Sequence, residues 1–463
     1  MESPDHARTT PGRLLGLYSR LLGPLIAGYL LFDKAFAYLH LPGTPLYVGE
    51  MVLAIGILGA LSASRYFRAP IRDEPILALL IVFMLWGLIR FLPEVSTYGL
   101  DAVRDSALWY YCFFALLACA ALARSPSLPR RWVGQLTRLT PWLVLWLPIG
   151  LVLQSLAPDG PYVPFSTVPV FTHKPGNAAL AALVVLGCMW LFPESRSARS
   201  RGLWSTMALV VLATAATQNR GGLLGAAVGA MVALAFIRFR LRLIAQAVTI
   251  TAVMLGVAAL LAPLIPFVGG HGRDFSVSQL VDNVKSLGGA EAPGDLQGTV
   301  QGRKELWSLV FDKQVADGHL IDGSGFGPNL AADVGIFDEG VNEGKDTLRN
   351  PHNSHLNVLA RMGLVGISLW IVLWLAWYRR LIGGCRRLAR QGLYVHRQVA
   401  VLALSVTTAI LVSTFFDPEL EGPQIAVLLW TMFGVGVAVT SGRNWFDDGT
   451  STSEPSDNAT LAS

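Results

Sequence analysis

Arg220 and two glycines interrupt an otherwise apolar stretch that reads TQNRGGLLGAAVGA at residues 217–230. A lone arginine at the centre of a bilayer costs about 2.5–3.5 kcal/mol on insertion scales. Either the apolar stretch breaks at Arg220, or the arginine has a function that outweighs this cost. A helix that begins at Gly221 and Gly222 would present unobstructed backbone N–H groups and the positive end of its dipole. Together with Arg220, these groups predict an anion site that suits phosphate.

That interpretation has a simpler alternative. Arg220 could only extend to the membrane interface, or cap the helix that precedes it.

A histidine stands directly before another apolar stretch, in NPHNSHLNVLARMG at residues 350–363. A neutral imidazole at His352 can accept a proton from a hydroxyl near neutral pH. Capping of the following helix, or a place at the interface, is its alternative role. His355 lies about one turn further on, but no third ligand is apparent, so we expect no metal site. Asn353 and His355 remain accessory candidates.

Three further cations lie in polar segments near these stretches. Arg303 (in QGRKELW) and Lys174 (in FTHKPGN) can add positive charge to an anion site, or be ordinary surface residues. Arg104 (in GLDAVRDS) can do the same, or pair locally with Asp101 or Asp105. Arg303 is therefore a candidate for phosphate binding together with Arg220, Gly221 and Gly222, and Arg104 and Lys174 are accessory candidates.

A fourth cation, Arg361, falls inside an apolar stretch. It must be buried in protein, neutralised by an acid or turned towards an aqueous cavity. Glu50, early in YVGEMVLAIG, is a plausible counter-charge.

Composition places these residues in a membrane protein. The chain has 463 residues, of which 53% are hydrophobic and only 14% are charged. A soluble protein carries about 25% charged residues. Apolar runs long enough to cross a bilayer recur along the chain, and they should be helical because irregular backbone cannot face lipid. The sequence therefore predicts an all-α integral membrane protein.

About twelve spans can be placed. They are 15–32, 46–63, 75–92, 106–123, 140–157, 176–193, 203–219, 221–237, 243–265, 355–378, 398–416 and 423–441. The chain then divides into spans one to nine at 1–265, a long outer loop at 266–354, spans ten to twelve at 355–441, and a disordered cytoplasmic tail at 442–463.

The distribution of basic residues supports this topology. With the N-terminus inside, the inner segments hold 23 arginines, whereas the short outer segments hold only Lys34, Arg104, Lys174 and Arg220. Positive residues concentrate on the cytoplasmic side of membrane proteins. The net charge of +5 reflects this band of cations along the inner leaflet. It therefore does not indicate nucleic-acid binding.

The long outer loop contains one predicted element. Residues 302–318 place Leu306, Leu309, Val310 and Val315 at helical spacing, which predicts an amphipathic helix lying along the membrane. A glycine-rich turn, HLIDGSGFGPNL, follows this helix.

The chain resembles the O-antigen ligase and polymerase family of polytopic bacterial membrane glycosyltransferases. Three stretches carry the resemblance in the family's order: TQNRGGLLGAAVGAMVALAF, the region from GRKELW to GHLIDGSGFG, and NPHNSHLNVLARMGLVGISLW. A weaker N-terminal match, GYLLFDKAFAYL to LYVGEMVLAIG, extends it over nearly the whole chain. The resemblance implies a GT-C-like helical bundle in the bacterial plasma membrane, with its active site on the outer face.

The resemblance also implies a reaction. Family members transfer a glycan from undecaprenyl diphosphate to the hydroxyl of a glycan or glycolipid acceptor, with no cofactor. The family's motif positions correspond here to Arg220 and Arg303, which would hold the donor diphosphate, and to His352, which would activate the acceptor. Ligase and polymerase activities stay open at this point.

Two other classes of protein have to be considered. A transporter would use the same charged residues along a solute path, but it typically has paired halves with broken helices at the midplane, and no such pairing is visible. A flippase or scaffold of a polysaccharide assembly system would need the lipid site but no acceptor base, and would tolerate loss of His352.

Overall fold

The computed structural model describes residues 11–44, 46–125, 127–157, 160–237, 241, 245, 295–335 and 349–441. Within these ranges the chain is helical apart from turns and two isolated β-bridges. The helices are α1 Pro11–Ala37, α2 Val48–Ser62, α3 Ser64–Asp73, α4 Pro75–Phe91, α5 Val95–Tyr98, α6 Leu100–Asp105, α7 Ala107–Tyr110, α8 Phe113–Arg124, α9 Leu128–Leu156, α10 Pro175–Leu191, α11 Ala198–Gln218, α12 Arg220–Ala235, α13 Asp295–Ala316, α14 Ser354–Arg390, α15 Tyr394–Ser413 and α16 Pro423–Thr440.

Six helical segments are long and apolar enough to cross a membrane: 12–37, 75–98, 128–154, 354–390, 394–413 and 423–440. The number rises to eight if α2 with α3, bent by 88°, and the segment 100–124, bent by 45°, each count as one span. Two shorter apolar helices, α10 and α12, accompany them. The protein is therefore a multi-pass all-helical membrane protein.

Eleven of the twelve predicted spans coincide with helices of the structure. The ninth, 243–265, lies outside the described residues, as do parts of the long loop and the whole of the tail. The total of twelve spans and the outer loop therefore stay predictions.

Several helices begin where local chemistry favours a start. Proline occupies the first turn of α4, α10 and α16, where its missing N–H leaves no donor unsatisfied. Asn219 caps α12 by accepting a hydrogen bond from the N–H of Gly222, at 2.7 Å. Asn353 caps α14 in the same way. An asparagine at this position stabilises a helix start because it satisfies an N–H that has no partner within the helix.

The bundle has two chemically different ends. Residues of separate predicted inner segments meet at one of them, which we call the basic end. Its contacts are Arg124 against Gly16, Arg196 with the carbonyl of Thr137, Arg380 with Glu74, and Arg397 with the carbonyl of Phe236. The opposite end, which we call the loop end, holds the starts of α10, α12 and α14 and the turn between α15 and α16. Which of the two ends faces the cytoplasm stays a prediction.

A stripe of glycines lets α12 pack closely on α15. Gly221, Gly225 and Gly229 are spaced four residues apart and are buried. A Cβ atom at Gly225 would meet the carbonyl oxygen of Ala409, and one at Gly229 would meet that of Ser405. Small residues at this spacing are typical of tight helix contacts in membranes.

The glycine-rich turn, residues 319–330, joins α14 at a break in that helix. Gly363 has φ 66°, and a Cβ atom there would overlap the backbone of Ile321. The turn replaces the helical hydrogen bonds that the break removes. Ser324 donates its N–H to the carbonyl of Ala360 at 2.8 Å, and Leu364 donates its N–H to the carbonyl of Leu320 at 2.9 Å. The turn is thereby fixed to the helix that follows His352.

Candidate functional site

Arg220 lies at the loop end as the first residue of α12. Its neighbour Asn219 donates a side-chain hydrogen bond to Asp417 Oδ2 at 3.2 Å, besides capping the helix. Asp417 belongs to the turn between α15 and α16, residues 414–422, which we call the acidic turn because it reads TFFDPELEG. The start of α12, where Arg220 is half-buried, is therefore joined to the acidic turn.

The two glycines after Arg220 have a structural role that the sequence analysis did not predict. The N–H of Gly222 is occupied by Asn219, and a Cβ atom at this position would overlap Gly176 of α10. A Cβ atom at Gly221 would lie 2.8 Å from Cβ of Phe416. The expectation that the N–H groups here are unobstructed is thus wrong for Gly222, because the capping side chain already occupies its N–H. Both glycines serve close packing.

Lys174 precedes α10 at the same end of the bundle. Its backbone N–H donates to Asp33 Oδ2 at 2.6 Å, and Asn177 donates to the other oxygen of that carboxylate at 2.7 Å. Asp33 is fully buried and sits at a break in α1, with φ 46°. The segment that contains Lys174 is therefore attached to α1.

Glu419 of the acidic turn lies near Lys174. Burial and the charge of Asp417 raise the pKa of Glu419 to about 8, and the charge of Lys174 opposes this shift. The carboxyl group is only 4% exposed and accepts a hydrogen bond from Ser413 at 3.4 Å. It is therefore largely protonated at neutral pH.

His352 lies in the segment that leads into α14. It has a positive φ of 51°, and its N–H donates to Asn350 Oδ1 at 3.2 Å. The carbonyl of Pro351 accepts a hydrogen bond from Trp307 Nε1 of α13 at 2.7 Å. The backbone on both sides of His352 is thus fixed, one residue before Asn353 caps α14 with bonds of 3.0 and 3.1 Å to the next N–H groups.

Arg303 lies one helical turn before Trp307 on α13, so both side chains emerge from the same side of that helix. Because Trp307 contacts Pro351, this face of α13 is directed towards the segment that contains His352. Arg303 therefore lies one turn from the point where α13 contacts the segment that contains His352.

Helix α13 packs on protein through a stripe that differs from the predicted one. Leu306, Val310 and Gln314 are buried, whereas Leu309 and Val315 are exposed. Leu306 and Val310 pack with Leu330 and Ala331, at the end of the glycine-rich turn and just after it. They also pack with Ala360 of α14. Two of the four apolar residues selected from the sequence, Leu306 and Val310, thus cover protein, and the placement of the helix along the membrane stays a prediction.

His355 contributes to the packing of α14. Its Nδ1 accepts a hydrogen bond from Trp370 Nε1 at 3.0 Å, so Nε2 carries the proton and donates to the carbonyl of Leu411 at 2.9 Å. The ring also packs against Phe415, with ring centroids 4.1 Å apart. Both nitrogens are therefore occupied in joining α14 to α15.

Arg361 is fully buried and neutralised by acids that the sequence analysis did not select. Its guanidinium lies 2.9 Å from Asp105 Oδ2 and 3.6 Å from Glu421 Oε1. It also donates to the carbonyls of Gly325 and Pro328, each at 3.4 Å. The arginine thus connects α6, the acidic turn and the glycine-rich turn.

The expected pairing of Arg361 with Glu50 is wrong. Glu50 accepts hydrogen bonds from the hydroxyls of Tyr111 at 2.5 Å and Tyr110 at 3.3 Å. Glu50 lies on α2 and is held by these two tyrosines, whereas Asp105 reaches Arg361 from the end of α6. Two tyrosine hydroxyls can satisfy a carboxylate without a cation, because each donates one hydrogen bond.

Arg349 completes this charge network. It lies 3.1 Å from Asp101 and 3.3 Å from Asp105, and it donates to the carbonyl of Gly327 at 2.7 Å. The local pairing considered for Arg104 therefore involves acids that already bind Arg349, and Arg104 itself is exposed on α6.

Asn350 and Asn357 both donate to Glu421 of the acidic turn, the first at 2.8 Å. Glu421 therefore holds the segment 349–353 through Asn350 and the first turn of α14 through Asn357.

The acidic turn joins the Arg220 region to the His352 region. Ser354 donates its N–H to the carbonyl of Thr414 at 2.9 Å and its hydroxyl to that of Asp417 at 3.2 Å. Asp417 also binds Asn219, as described above. A single residue, Asp417, therefore links the start of α12 to the start of α14.

Sequence reasoning overlooked the acidic turn. The signal that could have revealed it is DPELE at 417–421, which places three acids within five residues between two apolar runs. These acids lie on the same predicted side as the candidate cations. Paired charges would have been expected there, since isolated charges near a membrane are costly.

The described residues contain no group of three or more His, Cys, Asp and Glu side chains placed to hold a metal ion.

Comparison with known proteins bears on this arrangement. A family model described as O-antigen ligase matches residues 205–371. This range includes Arg220, Arg303, His352 and Arg361, and it ends within α14. The chain matches no curated protein.

Proposed function

We propose that this protein transfers an undecaprenyl-diphosphate-linked glycan to an acceptor hydroxyl on the outer face of the plasma membrane, because a family model described as O-antigen ligase matches residues 205–371. Undecaprenyl diphosphate is the product that is released. The family match and the apolar helices support a membrane glycosyltransferase.

One observation carries the proposal. Asp417 binds both Asn219, the residue before Arg220, and Ser354, two residues after His352. A cation suited to diphosphate and a base suited to a hydroxyl are thereby anchored to one short turn. A transfer reaction needs both groups near the same bond, because holding the reactants in position removes much of the entropic barrier.

The role proposed for Arg220 and Arg303 is to bind the donor diphosphate. Negative charge builds on the bridging oxygen as the bond between the anomeric carbon and that oxygen breaks. Fixed cations directed at this oxygen stabilise the transition state more than the ground state. A hydrogen bond to a charged group contributes about 1.5–3 kcal/mol, so two arginines can account for several powers of ten in rate.

The role proposed for His352 is that of a general base. The acceptor oxygen forms the new bond to the anomeric carbon, and the proton of that hydroxyl passes to the imidazole. General bases contribute about 10²–10⁴ in rate. We expect inversion at the anomeric carbon, because a single displacement needs no covalent intermediate on the enzyme.

The test is a transfer assay with purified protein in lipid nanodiscs. The donor is undecaprenyl-diphosphate oligosaccharide from the native host, and released undecaprenyl diphosphate and product length are measured. We expect Arg220→Ala and His352→Ala to lower release at least a hundredfold. Growth of chains on the lipid carrier indicates a polymerase, and single transfer to an added acceptor indicates a ligase.

Matched controls separate these effects from loss of folding. Arg199→Ala removes an exposed arginine at the start of α11, and His40→Ala removes a half-buried histidine between α1 and α2. Both should retain activity. Donor binding that depends on Arg220, with no release of undecaprenyl diphosphate by the wild-type protein, would refute the enzyme and favour a transporter, flippase or scaffold.

A further inference from the structure

A polar cavity of about 400 Å³ lies at the loop end, beside the residues assigned above to the reaction. Its walls come from the end of α4, the turn that follows it, the last two turns of α13 and the glycine-rich region. None of Arg220, Arg303 or His352 lines it. The cavity is therefore a separate feature of the loop end.

The most informative residue of the cavity is Gln314. It is only 4% exposed, and its Nε2 donates to the hydroxyl of Ser324 at 2.6 Å. Its Oε1 is buried and has no hydrogen-bond partner among the described residues. A buried amide oxygen without a partner is costly, so the position indicates a donor group that a ligand supplies.

The remaining lining is rich in acids. Arg90 lies 2.9 Å from Asp322, and Lys313 lies 2.8 Å from Asp317, so both cations of the wall are already paired. Glu94 and Asp333 add two further carboxylates. The excess of negative charge disfavours phosphate or an acidic sugar as the occupant.

Tyr98 gives the cavity an aromatic wall. It packs directly on Gly327, where any Cβ atom would overlap the tyrosine side chain. Its ring thus adds an apolar surface to a cavity that Glu94 and Gln314 also line. Acceptors of this kind suit a ligand with many hydroxyl donors. A metal ion is a poorer match, since the described acids do not form a group placed to bind one.

We propose that this cavity binds a neutral sugar segment of the glycan, away from the bond that reacts. This inference rests on the proposed function only for the identity of the glycan. Gln314 lies seven residues after Trp307, which contacts the backbone next to His352. This separation is about 10 Å along the helix axis. The cavity is thus placed to hold a glycan that extends from the reaction site, with hydroxyls donating to Gln314 Oε1 and Glu94.

The experiment measures binding of a glycan that has no lipid and no diphosphate. The probe is the oligosaccharide released by mild acid from the lipid-linked glycans of the native host, titrated against the full-length protein in nanodiscs. We expect Gln314→Leu and Glu94→Gln each to weaken its binding about tenfold or more. Glu94 is half-buried, so its substitution keeps the test valid if Gln314→Leu fails to fold.

The matched control is Glu305→Gln, an exposed acid on the same helix that does not line the cavity. It should bind the probe like the wild-type protein. Unchanged binding by both cavity variants would overturn the inference, as would binding of a calcium ion in place of the oligosaccharide.

Two readouts distinguish this inference from the proposed function. If the cavity variants bind the oligosaccharide normally while the wild-type protein releases undecaprenyl diphosphate, the cavity inference fails and the function stands. If no release occurs but oligosaccharide binding depends on Gln314 and Glu94, the proposed function fails and the sugar site stands.

Discussion

Replacement of Arg361 by methionine tests whether the buried charge network holds the loop end in place. The arginine is fully buried and pairs with Asp105 at 2.9 Å and Glu421 at 3.6 Å. Methionine has similar length and keeps the apolar packing, but it leaves two buried acids without their shared cation. Removing one partner of a buried ion pair typically costs about 3–5 kcal/mol.

The structure favours the lower part of this range. Asp105 keeps Arg349 at 3.3 Å and the N–H of Gly327 at 3.1 Å, and Glu421 keeps the amides of Asn350 and Asn357. We therefore expect a loss of about 3 kcal/mol in the free energy of unfolding.

The assay is reversible unfolding of the protein in mixed micelles with increasing concentrations of a denaturing detergent. Tryptophan fluorescence monitors the unfolding. Arg361→Lys should be intermediate, because a lysine ammonium cannot reproduce the planar fork that reaches both acids. Lys313→Met is the control. It removes an exposed i,i+4 pair with Asp317, the residue directly after α13, and such pairs contribute about 0.3–0.5 kcal/mol.

A double-mutant cycle with Asp105→Asn completes the test. If the pair interacts directly, the effects of the two substitutions are not additive, and the coupling energy exceeds about 0.5 kcal/mol. An Arg361→Met protein as stable as the wild type, with no coupling to Asp105, would refute the argument that this network supports the loop end.

Three other outcomes are expected. Gly229→Leu should destabilise the bundle by about 1–3 kcal/mol, because its side chain would collide with α15, whereas Gly202→Leu should be tolerated because that position is open. Asn353→Ala should cost about 0.5–2 kcal/mol in unfolding free energy through loss of the α14 cap. The raised pKa of Glu419 means that the native state retains this proton better than the unfolded state does, so its stabilising contribution is present below about pH 4.5 and is lost as pH rises to about 8. Glu419→Gln should therefore flatten the decline of melting temperature between pH 5 and 8, and an unchanged slope would contradict the assignment.

Local sequence patterns were sufficient to place most helices of this protein. An apolar run of sufficient length must be helical in a membrane, whatever its neighbours, because its backbone groups have no other partners. The predicted spans therefore coincide with helices wherever the structure describes them, and the asymmetry of arginines separates the two ends. Asn219 and Asn353 mark helix starts through chemistry that extends over only three residues.

The roles of particular side chains were harder to predict. The sequence suggested that Gly221 and Gly222 expose N–H groups, but the approach of the acidic turn and of α10 makes them packing residues. The histidine at position 355 looked available, yet Trp370 and Leu411 occupy both of its ring nitrogens. Such outcomes depend on which helix lies opposite, and this information is absent from the local pattern.

The sequence by itself determined that the chain is a helical membrane protein and which residues lie near helix ends. The functions of Arg220, Arg303 and His352 stay predictions. Only the tertiary structure decided that Arg361 pairs with Asp105 and Glu421, and that Asp417 joins the starts of α12 and α14. The physical reason is the range of the forces involved. Hydrophobic length and helix capping act within a few residues of the chain. A buried charge, in contrast, must be compensated by whichever partners the packing of distant helices brings within a few ångströms.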